Sequence, residues 1–315
     1  MIDQIRALPK AELHLHIEGT LEPDLAFALA RRNGVPLRFA SVQSLARAYD
    51  FSDLQSFLDL YYECMAVLLR PADFTDLADA YLARAARDGV RHVEMFFDPQ
   101  AHTSRGVPLD QVLAGLRGAI REAPTRHGVT VKLIACFVRD RPVKEAMATL
   151  EGLARHLDVV NGVGLDSAEV GNPPSAFREV FAAAAELGLR KVAHAGEEGP
   201  PAYVWEALDV LGVERIDHGI RSVEDPALLR RLAADRVPLT VCPLSNVRLR
   251  CVPSLDQHPL PRLLDAGLLV TVNSDDPAYF GGYVAENYLA LQSALGLDLD
   301  TLEGLARNSL LASFT

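Results

Sequence analysis

Short apolar, β-rich runs alternate along this chain with longer Ala/Leu/Arg-rich stretches of helical period. Eight runs read as strands: 11–17 (AELHLHI), 90–97 (VRHVEMFF), 129–138 (VTVKLIACFV), 160–166 (VNGVGLD), 190–195 (RKVAHA), 214–218 (ERIDH), 238–242 (PLTVC) and 268–274 (LLVTVNS). Between them the pattern predicts helices over 72–88, 108–122, 142–157, 175–188, 201–211, 225–235 and 258–266. Strands apolar on both faces and separated by helices specify parallel β/α units. Eight such units predict an α/β fold, the closed (β/α)8 TIM barrel. An open doubly wound sheet competes, but it needs a glycine-rich phosphate turn after its first strand. HIEGTLEP is not such a turn.

The stretch between the first two strands is too long for a simple crossover. Residues 21–88 offer helices over 23–33, 42–48, 53–69 and 72–88, read as a helical insertion over the barrel mouth. Long insertions at that place serve as lids or pocket walls. No repeat, low-complexity tract or linker interrupts the pattern, so residues 1–315 read as a single domain.

Composition narrows the partners. The net charge is −11, from 31 basic and 42 acidic residues, and no basic block is present, which excludes a nucleic-acid backbone as the expected partner. Cys64, Cys136, Cys242 and Cys251 form no CxxC pair, as expected for reduced thiols in a cytoplasmic protein. The N-terminus MIDQIRALPK lacks an apolar signal core, and no apolar run is long enough to span a membrane. Composition leaves a homo-oligomer open.

The strand ends carry the chemistry. Strand one brings His14 and His16, which share a face because alternate strand residues do. Strand five brings His194, followed by Glu197 and Glu198; strand six brings His218; strand eight brings Asp275 and Asp276. Barrel enzymes place their active sites at this C-terminal end. Taken singly, each group has an ordinary reading: a core histidine, a helix cap, a solvated acidic pair. Together, three imidazoles and a carboxylate form a ligand set for zinc, with one position left for water; iron or manganese tolerates similar ligands. Metal binding lowers the pKa of water to about 7. His218 is then placed to activate or orient that water, Glu197 to protonate the substrate, and Asp276 to bind it.

Two other metal designs fail. Cytidine-type zinc deaminases pair HxE with PCxxC, and the chain has no PCxxC. Two-metal barrels bridged by a modified lysine need a lysine at the mouth, whereas Lys132 and Lys191 start their strands. His92, His127, His156 and His258 read as structural, and His102 as a residue that could line the pocket.

The stretches LPKAELHLHIEGTLEP, HAGEEG, RIDHGI, CPLSN and TVNSDDP, spread over residues 8–277, resemble the adenosine/adenine deaminase family of the amidohydrolase superfamily. The resemblance implies that His14, His16, His194 and Asp275 hold one Zn2+. It makes Glu197 the proton donor to the purine ring and His218 the residue that orients or deprotonates the water. Asp276 is then expected near N7, and Gly164 of GVGLDSAE matches a position whose backbone contacts the base. Within the family, FFDPQAHTSRG, AEVGNPP and HAGEEGPP are similar to the adenine branch. Glu18 stands where adenosine-acting members carry an aspartate, so it is expected to fill the ribose space. The chain departs from the branch's DSSEVGHPP at Ala168 and Asn172. The implied reaction is hydrolytic deamination of adenine to hypoxanthine and ammonia in purine salvage, with a small purine base as partner. Adenosine or N6-substituted adenines as substrate, an amide hydrolase, and a purine-binding protein without catalysis are the alternatives.

Overall fold

The computed structural model describes residues 1–49, 51 and 54–314. Eight parallel strands follow one another in chain order: β1 (Lys10–His16), β2 (Val90–Phe97), β3 (Thr130–Val138), β4 (Val160–Asp166), β5 (Arg190–Ala195), β6 (Arg215–His218), β7 (Leu239–Val241) and β8 (Val270–Val272). Each falls on a run predicted from the sequence, with shifts of one or two residues at the ends. The ring closes beyond β8. His16 N donates to Asp275 O at 3.0 Å and Asp275 N to His14 O at 3.2 Å. One rung of backbone pairing therefore puts Asp275 beside both histidines of β1. Asp275 turns away with a left-handed φ of 65°.

The sides of the barrel are helices with apolar inner faces, such as Leu109–His127 and Pro226–Asp235. Two further helices, Val284–Leu295 and Leu299–Leu311, were not among those read from the sequence. The second buries Leu302, Leu305, Ala306 and Ser309, one face at helical spacing. Inside the barrel Phe96, Ile134, Cys136 and Val192 form a buried plug beneath the mouth. The insertion holds helices Pro23–Asn33, Val42–Ala48, Leu54–Met65 and Pro71–Arg87. The start of the helix expected over 53–69 lies outside the described residues. Phe57, Leu58, Tyr61 and Tyr62 of Leu54–Met65 wall the pocket at the barrel mouth. Among the described residues, no helix is long and apolar enough to cross a membrane.

Candidate active site

β1 aims His14 and His16 inward, and both rings pack on Phe96 with centroids 5.1 Å away. β5 supplies His194 from across the mouth. His16 Nε2 lies 3.2 Å from His194 Nε2 and 3.5 Å from Asp275 Oδ1, and His14 Nε2 lies 3.2 Å from Asp275 Oδ1. Two donors each about 2.0–2.1 Å from a tetrahedral ion sit roughly 3.3 Å apart, so this spacing suits a single zinc-sized cation. His218 joins the same cluster, with its donor atom within 4.8 Å of those of His14, His194 and Asp275.

The surroundings orient these rings. Thr240 Oγ1 donates to Asp217 Oδ1 at 2.9 Å, so at 3.0 Å it accepts from His14 Nδ1–H. The Nε2 of His14 then turns a lone pair toward Asp275, in a fully buried place where it has no hydrogen-bond partner. Two lone pairs in contact are reconciled by a cation between them. Asp217 Oδ2 lies 3.6 Å from His194 Nδ1, and Asp166 Oδ2 lies 3.6 Å from His16 Nδ1. Carboxylates behind ligating imidazoles are the usual support of a metal centre. Ser245 Oγ fixes Asp275 by donating to Oδ2 at 2.6 Å. Burial opposes the charge of Asp275, but His14, His218 and His16 outweigh it and hold the carboxyl below its ordinary range. Burial pushes His16 down to about 4. Burial likewise lowers His194, whereas at His14 burial is outweighed by Asp275 and Asp217, which hold it above its ordinary value, so that this spot calls for a positive charge. The set fits a bound metal.

Beside the cluster, Glu197 Oε1 accepts from Asn246 Nδ2 at 3.1 Å, and Oε2 lies 3.4 Å from His218 Nε2. Burial, then the charges of Asp275, Glu169 and Glu198, push this carboxyl well above the carboxylate range. With Oε1 accepting, the proton of neutral Glu197 rests on Oε2. Asn246 is itself oriented from outside. Leu260 N–H donates to His258 Nδ1 at 3.1 Å, so His258 carries its hydrogen on Nε2 and donates to Asn246 Oδ1 at 3.2 Å. That turns the amide nitrogen toward Glu197 and, at 3.3 Å, toward His218 Nδ1. His218, pushed down to about 3 by burial, is then neutral with its hydrogen on Nε2. It is arranged to donate a hydrogen bond into the site. Asp276 carries a buried Oδ1 with no hydrogen-bond partner. Burial and the charges of Asp275 and Glu18 push its carboxyl well up, so it too is a neutral donor.

The adenosine deaminase family model matches residues 9–315. The chain belongs to the adenosine deaminase family. Among its relatives, adenine deaminase of Streptomyces coelicolor is 67% identical over 312 residues, covering 99% of this chain and 92% of the relative. The crystal structure of adenine deaminase from Arthrobacter aurescens superposes with a TM-score of 0.97 at 56% identity, covering 98% of this chain and 94% of that one. That of an amidohydrolase from Burkholderia ambifaria, with bound Zn, gives 0.91 at 31% identity, covering 100% and 88%.

Two residues expected at the substrate lie elsewhere in this family member. Gly164 sits within β4, where a Cβ would come 2.6 Å from Cys136 Sγ; it is part of the barrel interior and does not line the pocket. Glu18 does not line it either. Its Oε1 accepts from His102 Nε2 at 2.7 Å and Asp98 N at 3.2 Å. Arg105 Nη2 lies 2.8 Å from His102 Nδ1, so His102 is drawn into this buried chain rather than the pocket. The pocket wall instead includes Asp98 and Asp166, which the sequence reading passed over. Burial pushes Asp166 up to about 7 and Asp98 well above the usual range. Asn246 was present in the CPLSN motif without a role, and His258 was read as structural.

Proposed function

We propose that this chain is a one-domain, one-zinc adenine deaminase that converts adenine and water to hypoxanthine and ammonia. The observation that carries the reading is the buried meeting of His14, His16 and His194 with Asp275 beside Glu197, whose carboxyl is pushed well above the carboxylate range by burial and the charge of Asp275. The names of the relatives at 56–67% identity support the substrate.

A zinc ion held by those four residues supplies water activated for attack at neutral pH. Glu197 Oε2–H donates to N1 of the purine, drawing electrons from C6. Asp276, as a neutral acid, donates to N7 and fixes the ring. His218 Nε2–H orients the water over C6. The C6–O bond forms and the C6–N6 bond breaks. One water proton leaves with ammonia, the other returns to Glu197, and N1 keeps the proton it received. Tyr61, Tyr62, Phe57 and Leu58 cover the ring and exclude bulk water.

The pocket also argues against a nucleotide. Its described lining includes Asp98, Asp166, Glu197, Asp275 and Asp276, and neither lysine nor arginine. A phosphate has no counter-charge there. The decisive measurement is ultraviolet-monitored turnover of adenine, adenosine, N6-methyladenine and AMP, with metal analysis of the same preparation. Adenine is expected to turn over fastest and AMP not at all. Faster turnover of adenosine or of N6-methyladenine would overturn the substrate assignment.

A further inference from the structure

Glu169 lies in the turn after β4 and is 2% exposed. Its carboxylate is filled by the backbone of the segment that bears Glu197. Gly196 N donates to Oε1 at 2.6 Å. Glu197 N, Glu198 N and Gly199 N donate to Oε2 at 3.0, 2.9 and 2.8 Å. Four consecutive N–H groups thus converge on one side chain, the concave arrangement that holds anions. The chain has been cleared for it. A Cβ on Gly199 would meet Glu169 Oε1 at 2.5 Å and Cδ at 2.6 Å, and Gly196 takes a left-handed φ of 72°.

The clamp is anchored at its other end. Asn172 N donates to Glu169 O at 3.1 Å, and Asn172 Nδ2 donates to Ala168 O at 2.9 Å, closing the turn. Arg139 then joins that turn to β5: Nε donates to Asn172 O at 2.9 Å and Nη1 to His194 O at 2.7 Å. Asn172, one departure from the branch pattern, is therefore part of this support, and Ala168 lends it only a backbone carbonyl.

We propose that Glu169 is the positioning residue of Glu197: its carboxylate fixes backbone 196–199 in the shape that sends the Glu197 side chain to Asn246 and His218. The inference rests on the proposed deaminase role of Glu197. Glu169 touches no reacting atom and acts through the main chain. The isosteric Glu169→Gln replaces one clamp oxygen with an NH2 group that faces donors, so the segment must open.

The test is a double-mutant cycle with a structural arm. Glu169→Gln alone is expected to lower kcat on adenine by about 10²-fold, the cost of a misplacement near 1 Å, with KM and zinc content little changed. Placed on Glu197→Gln, the same change should cost less than roughly threefold, because coupled residues are not additive. Hydrogen–deuterium exchange of amides 196–199 should quicken in Glu169→Gln with or without substrate. Equal losses in both backgrounds, or unchanged exchange, would overturn the proposal. If the unmodified protein failed to deaminate adenine, the proposed function would fall, while the exchange arm would still judge the clamp.

Discussion

Gly19 presses on Asp276 so closely that a Cβ there would come 1.9 Å from Oδ1 and 2.6 Å from Cα. The turn after β1 and the turn after β8 therefore meet with no room for a methyl group. Asp276 lines the pocket, carries a buried Oδ1 without a hydrogen-bond partner, and is the residue proposed to hold the purine. Gly19→Ala must displace it, or shift the whole turn that also carries Asp275. Kinetics should show kcat/KM on adenine falling by roughly 10²-fold, and the overpacked turn should lower the melting temperature by a few degrees. Unimpaired turnover would remove Asp276 from contact with the substrate.

Glu197 sits in the pocket with Oε1 held by Asn246 and Oε2 beside His218, its carboxyl pushed well above the carboxylate range by burial and the charge of Asp275. Glu197→Gln keeps the shape and the Asn246 hydrogen bond but has no proton to give. The loss expected of a missing general acid is about 10²–10⁴-fold in kcat. Zinc content should stay at the parent value, since Glu197 is not in the proposed ligand set. Loss of metal together with activity would show that the residue serves the cation instead.

Asn246 joins the two groups of the proposed chemistry. Leucine in its place leaves Glu197 Oε1 and His218 Nδ1 without their shared donor, and a lost buried hydrogen bond costs about 1–3 kcal/mol. Asn246→Leu is thus expected to slow turnover by roughly ten- to a hundredfold with zinc retained. The serine variant, able to reach only one of the two, should fall between. A leucine variant with parental kcat would show that His218 takes its tautomer from another source.

What the chain reveals before folding depends on whether a role is local. Strand period and position were enough to place His14, His16, His194, His218 and Asp275 at one end of a barrel, because each follows its own apolar run. The run 268–274 is longer than β8, which spans Val270–Val272; Asn273 N still donates to Val241 O at 2.9 Å, while its side-chain oxygen accepts from Leu13 N at 2.8 Å. Gly164 came only from the resemblance; a glycine in a strand marks a close approach without naming the neighbour, here Cys136. Glu18 faces His102, a residue 84 positions away in sequence. Glu169 meets backbone groups of another turn and His258 reaches Asn246, and no spacing rule connects either pair. The helix over 299–311, by contrast, had its apolar positions at helical spacing in plain view.

His258 makes acid stability a measurable consequence of the site. Burial pushes its imidazole from 6.5 down to about 4. Both ring nitrogens are engaged in the neutral form, so a second proton would confront Leu260 N–H. The unfolded chain takes up that proton below pH 6.5 and the folded chain only near pH 4. Unfolded protein thus binds more protons in this window, and stability falls as pH drops through it. The contribution is about 3 kcal/mol for a shift of this size. Denaturant unfolding at pH 7 and pH 4 should show His258→Gln losing about that much less than the parent across the interval. Parallel losses in the two proteins would exclude His258 as the source.

Thr240 tests how the metal set is held. Its hydroxyl links Asp217 to His14 Nδ1, and that hydrogen bond directs the His14 lone pair at Asp275. Valine has nearly the same shape and no hydroxyl. In Thr240→Val, His14 can take the other tautomer, placing hydrogen where the cation must go, and Asp217 keeps an uncompensated buried oxygen. Loss of such a supporting partner typically costs 10–100-fold in metal affinity. Competition with a chelator should therefore strip zinc from Thr240→Val at roughly tenfold or more lower chelator activity than from the parent. Added zinc should restore most of the turnover, because no ligand has been removed. If chelator resistance equals that of the parent, the tautomer of His14 is not set by Thr240, and the cation-binding assignment loses its geometric basis.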